Sequence, residues 1–97
     1  MKYALIIKEP VNKEITEVFD YYEEQQVGLG YSLLDAIEEA LYELKSNPLG
    51  CQVKYSIYRT KLVRPFPYVL IYEIIGKEII IFQFFNARKL PVKRFKK

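Results

Sequence analysis

The chain has 97 residues, 51% of them hydrophobic and 28% charged, with a net charge of +3, which fits one ordered domain with a modest core, residues 1–97, and leaves no room for a second. With no histidine and a single cysteine, Cys51, a disulfide within the chain and a CxxC site are excluded, and a transition-metal site lacks its usual ligands. The opening Met1–Lys8 is too short an apolar run for a signal peptide or a membrane span, so a cytoplasmic protein without metal, cofactor or membrane partner is expected.

Tyr3 to Lys8 reads as a short buried strand. Glu9-Pro10 then signals a helix start, because proline suits the first helical turn, where its missing N–H is no loss. Ile15, Val18, Phe19 and Tyr22 recur at spacings of three and four, giving an apolar stripe that ends near Gln26. Gly28-Leu29-Gly30 offers the left-handed residue that lets the chain reverse, and Ser32 with Asp35 is a weak start for a second helix. Leu33 or Leu34, Ile37, Leu41 and Leu44 form the second stripe, with Ala36 and Ala40 at close-contact positions, until Asn47-Pro48-Leu49-Gly50 breaks it.

From Val53 the period falls to two, and β-branched and aromatic residues predominate. Strands are predicted near 52–56, 58–64, 67–75 and 78–86, the last two joined by a Gly76-Lys77 hairpin turn that sets Ile75 opposite Glu78. That register gathers Val69, Ile71, Ile80, Phe82 and Phe84 on one face and Tyr68, Leu70, Tyr72, Ile79, Ile81, Gln83 and Phe85 on the other. A helical hairpin covers only one face of such a sheet. The Tyr-rich face is then closed by the C-terminal segment or left for another protein chain, and the second arrangement is the expectation, since a permanent partner hides an apolar face from aggregation.

Charge is sorted along the chain. Glu9 to Glu43 holds ten carboxylates and only Lys13, whereas Cys51 to Lys97 holds eleven Lys or Arg and only Glu73 and Glu78, a split of about −9 and +9. A second half of that sign attracts nucleic acid or an acidic protein surface. The segment 88–97 alone has six cations and no acid. It reads either as a charged terminus or as a contact for phosphates or an acidic groove, with Phe95 suited to packing. The acidic hairpin likewise reads either as a solvated surface or as a contact for a basic partner.

Six motifs stand in a particular order: Tyr21-Tyr22-Glu23-Glu24-Gln25, Gly28-Leu29-Gly30, Asn47-Pro48, Tyr58-Arg59, Phe66-Pro67-Tyr68 with Tyr72, and Asn86-Ala87-Arg88 followed by Pro91. Over nearly the whole domain this resembles the RelE/ParE superfamily of type II toxin-antitoxin toxins, and Phe-Pro-Tyr then Tyr looks more like the ParE branch. The resemblance implies an α+β fold of order β-α-α-β-β-β(-β), with a helical hairpin on a small antiparallel sheet. It also implies a plasmid-stabilisation type of toxin, held by a cognate antitoxin, with no small-molecule substrate.

The branches differ in target. ParE-like members poison DNA gyrase, which needs no covalent chemistry, while RelE-like members cut messenger RNA on the ribosome. The arginine usual before the penultimate strand of the nuclease branch is replaced here by Phe66-Pro67-Tyr68, with Arg64 nearest, and Asn86 stands where many relatives carry histidine. Arg88 does match. A gyrase-binding toxin is therefore expected, with Arg59, Lys61, Arg64, Arg88, Lys93 and Arg94 on the target and Phe66, Tyr68, Leu70, Tyr72 and Phe85 toward the antitoxin. The alternatives are a messenger RNA endonuclease using Arg59, Arg64 and Arg88, with proton transfer by Tyr58, Tyr68, Glu73 or a lysine, or a relative that only binds its antitoxin.

Overall fold

The computed structural model describes residues 3–50, 53–55 and 58–89. Strand β1 (Ala4–Ile7) leads into helix α1 (Glu9–Gln25), helix α2 (Leu29–Ser46) and a 3-10 turn at Pro48–Gly50. Strands β2 (Val53–Tyr55), β3 (Tyr58–Val63), β4 (Tyr68–Ile75) and β5 (Glu78–Asn86) follow, with a second 3-10 turn at Ala87–Lys89. The order of elements is the expected one, and the sheet runs β1-β5-β4-β3-β2.

Two expectations change at β1. The sheet is not wholly antiparallel, because β1 lies parallel to β5, where it satisfies the free edge of the last strand; Ala4 N–H donates to the Lys77 carbonyl at 2.8 Å and Lys8 N–H to the Ile81 carbonyl at 3.0 Å. Nor is β1 buried as a whole. Leu5 and Ile7 pack on the core while Ala4 and Ile6 are exposed, the alternation of an edge strand covered on one side.

Helix α1 opens with Lys8 extended and proline in the first turn, and its buried stripe begins a turn earlier than the sequence suggested, at the fully buried Val11. Helix α2 starts at Leu29, before Ser32, because Gly28 takes φ 92°, a left-handed conformation that a side chain disfavours. Gly30 is buried where the helices cross. A Cβ there would sit 2.7 Å from Phe19 Cδ1 and 2.8 Å from the Phe19 carbonyl oxygen, so glycine sets how closely α1 and α2 approach.

The hairpin turn at Gly76, with φ 60°, places Ile75 opposite Glu78 as expected. The register then slips between Ile71 and Tyr72, which pair with Gln83 and Ile81 and leave Phe82 as the extra residue of a β-bulge. Beyond it the faces of β5 exchange. Phe84 joins Leu70, Tyr72, Ile79 and Ile81 in the core under the helices, whereas Phe85 packs with Tyr58, Val69, Ile71 and Phe82 on the far side. A two-residue period cannot reveal one inserted residue, so the sequence placed these two phenylalanines the other way round.

The Tyr-rich face is also not the open one. Val11, Leu33, Ile37, Ala40 and Leu44 of the hairpin close over it, and Leu70 and Tyr72 are 1% and 0% exposed. Tyr72 stays satisfied there by donating its hydroxyl to the Pro48 carbonyl at 2.7 Å. The face turned from the helices carries the second, smaller cluster of Tyr58, Val69 and Ile71.

Candidate functional site

Register gathers several of the singled-out residues at one end of the sheet. Val63 pairs with Tyr68 and Tyr68 with Asn86, so the β3–β4 turn and the end of β5 are neighbours. Ala87 N–H donates to the Pro67 carbonyl at 2.7 Å, and Arg88 N–H to Asn86 Oδ1 at 2.9 Å. These bonds fix the backbone of Arg88 beside the Phe66-Pro67-Tyr68 turn. Arg64 and Arg88 are both exposed there.

Aromatic rings bind this end to α1. Tyr22 meets Phe66 edge-on at 5.2 Å and Tyr68 at 6.4 Å, while Tyr68 stacks on Phe84 at 4.8 Å, and the exposed Tyr21 leans on Tyr22. Burial raises the pKa of Tyr22 above its ordinary 10.0; Tyr68 and Tyr21 and a hydrogen bond with the Tyr68 hydroxyl push the same way, and Arg88 pulls against them. The Arg88 charge thus reaches the Tyr22 ring. At neutral pH Tyr22 stays protonated, a donor to an anion and a poor proton acceptor.

The remaining candidates lie elsewhere. Arg59 and Lys61 share with Val63 the helix-facing side of β3, and Arg59 is four residues from Val63, roughly 13 Å along the strand. Lys61 Nζ is spent on Glu43 Oε1 at 2.6 Å, and Arg59 is half-buried and engaged within the chain. Lys93 and Arg94 lie outside the described residues. Of the apolar set, Phe66 and Tyr68 keep part of their surface, Phe85 is half-buried on the opposite face, and Leu70 and Tyr72 are core residues with none to offer.

The proposed proton carriers are also divided. Tyr68 stands at the aromatic end on the helix side, whereas Tyr58 lies in the far cluster and Glu73, by alternation from Tyr72, points with it. Glu73 is 8% exposed and has a partner within the chain. Among the described residues no group of three His, Cys, Asp or Glu side chains is placed to hold a metal ion, and no helix is long and apolar enough to cross a membrane.

Two carboxylates that sequence reasoning passed over position the site's scaffold. Glu23 accepts from Gly28 N–H at 2.9 Å and from Gly30 N–H at 2.8 Å, serving as the cap that Gly28 itself cannot provide at the positive end of α2. Glu14 accepts from Phe84 N–H at 3.3 Å, past the point where β1 pairing ends at Ile7 and Ile81. Both bonds span a reversal of the chain, and neither has a local sequence signal.

The comparisons with known proteins agree with this architecture. Residues 5–91 match the family model for the ParE toxin of the type II toxin-antitoxin system, parDE. A solved structure described as a chromosomal ParDE TA system from P. aeruginosa superposes with a TM-score of 0.78 at 17% identity, over 89% of this chain and 97% of that one. No curated protein matches in sequence.

Proposed function

Since the chain belongs to the ParE toxin family of type II toxin-antitoxin systems, we propose that it acts by binding in the cytoplasm, with DNA gyrase or its DNA complex as target and a cognate antitoxin holding it in check. The observation that supports this most is the Arg64–Arg88 end: two exposed guanidinium groups beside tyrosines, one of which is held protonated. Such a surface attracts phosphates and carboxylates without transferring a proton. The division of Tyr68 from Tyr58 and Glu73 argues in the same direction, since general acid–base cleavage needs its groups around one phosphate. Toward the antitoxin, Phe66 and Tyr68 offer partly exposed aromatic surface next to the same arginines.

The test is a pair of assays on the purified chain. Added to a gyrase supercoiling reaction it should block supercoiling, and added to a translating extract it should leave messenger ends unchanged. Codon-positioned cuts with normal supercoiling would reverse the assignment to an endonuclease. No effect in either assay would leave a member of the family that only binds its antitoxin.

A further inference from the structure

The outer surface of α2 carries an aromatic and acidic stripe that the Arg64–Arg88 end does not use. Tyr31, Leu34, Glu38 and Tyr42 follow one another at spacings of three and four, so they lie along one line roughly 16 Å long at ~1.5 Å per residue. Tyr31 is 62% exposed and Tyr42 74%. Asp35, Glu38, Glu39 and Tyr42 line an open, shallow depression on that line. Tyr31 is held in place by an edge-on contact with Phe19 at 5.0 Å, so its ring is ordered before anything binds.

We propose that this stripe is a docking surface for a Lys- or Arg-bearing amphipathic segment of a protein, about three helical turns long, supplied by the antitoxin. Two exposed tyrosines three turns apart give anchors of the kind that fill interface centres at small cost in side-chain entropy. The carboxylates between them select the sign of the partner, because an acidic segment or a nucleic acid is repelled and a basic one attracted. The helix already accepts one such cation, Lys61 on Glu43. The antitoxin is the favoured source because exposed aromatics gain most from a partner that stays bound through the resting state. This identity of the partner rests on the toxin-antitoxin reading above, whereas the chemistry of the stripe does not.

The probe is a synthetic 18-residue peptide of leucine and lysine in helical pattern, titrated into the 15N-labelled chain and compared with a peptide carrying glutamate in place of lysine. Shift changes should centre on Tyr31, Leu34, Glu38 and Tyr42, and the glutamate peptide should not bind. The double variant Tyr31→Ala/Tyr42→Ala should weaken the lysine peptide at least tenfold with an unchanged circular dichroism spectrum. Shifts spread equally over the carboxylates of α1, or an affinity indifferent to loss of the two tyrosines, would reduce the stripe to unspecific charge attraction and overturn the proposal. Growth arrest and supercoiling take no part in this titration, so the toxin assignment and the docking surface stand or fall separately.

Discussion

Glu14 shows how a single side chain ties the acidic hairpin to the sheet. Its pKa is raised above the ordinary 4.5, chiefly by burial and further by Glu17, against the opposing bond from Phe84 N–H. The folded chain therefore binds this proton more tightly than the unfolded chain. The resulting stabilisation is complete below the ordinary glutamate range and is lost as pH rises through the raised value. Glu14→Gln keeps an oxygen to accept from Phe84 and has no charge to bury. Urea midpoints measured from pH 4 to pH 7 should show the variant gaining on the parent as pH rises, with the difference levelling once Glu14 is fully ionised. A constant difference would mean that Glu14 titrates as an ordinary surface carboxylate. At this scale the sequence said least. Tyr72 was legible as an aromatic on the face that Leu70 shares, but its bond to Pro48 crosses 24 positions and depends on where the 3-10 turn ends.

Between elements, the crossing of α1 and α2 at Gly30 sets two effects of opposite sign against each other. Alanine is a better helix former than glycine by about 1 kcal/mol, yet its Cβ would meet both the Phe19 ring and the Phe19 carbonyl oxygen below 3 Å. The ring can turn, but the carbonyl belongs to the backbone of α1 and moves only with the helix. Overpacking of this kind costs about 1–3 kcal/mol, and shifting α1 also disturbs the Glu23 bonds to Gly28 and Gly30. Gly30→Ala should lower the melting temperature, by about 4–8 °C per kcal/mol for a domain of this size. Gly28→Ala meets no neighbour within 4 Å and should lose less, the strain of its φ alone. If the two variants melt alike, close approach at Gly30 does not govern the hairpin. The elements themselves were legible because helical and strand periods differ plainly on either side of Gly50, and Gly76 fixed the register of the long hairpin. The face assignment failed at Phe84 and Phe85 because a bulge leaves composition and turn chemistry unchanged while exchanging inside for outside.

Across the molecule the sorted charge persists as two surfaces, acidic on the helices and basic at the Arg64–Arg88 end, though only part of the predicted cation set meets there. The charge imbalance was readable by counting. Convergence was not, because it depends on strand alternation and on partners distant in sequence: Lys61 and Glu43 are 18 positions apart and neutralise each other, while Arg64 and Arg88 are brought to one end by the Val63–Tyr68–Asn86 register. These facts make the cations unequal in a predictable way. Reversing both exposed arginines, Arg64→Glu with Arg88→Glu, changes the local charge by four units in a region where fields extend about 8 Å at physiological ionic strength. Clefts and patches of one sign alter association rates by about 10–1,000-fold, so the concentration needed for half-inhibition of supercoiling should rise at least ~10-fold. Stability should change little, since both side chains are exposed. Lys61→Met should do the reverse in kind: it removes a surface ion pair worth about 0–1 kcal/mol and leaves inhibition near the parent level. Raising salt from 50 to 200 mM should weaken the parent and spare what activity the arginine-reversed chain retains, because the screened interaction is the one already removed. Equal potency of the reversed and parent chains at low salt would place the target contact away from the Arg64–Arg88 end.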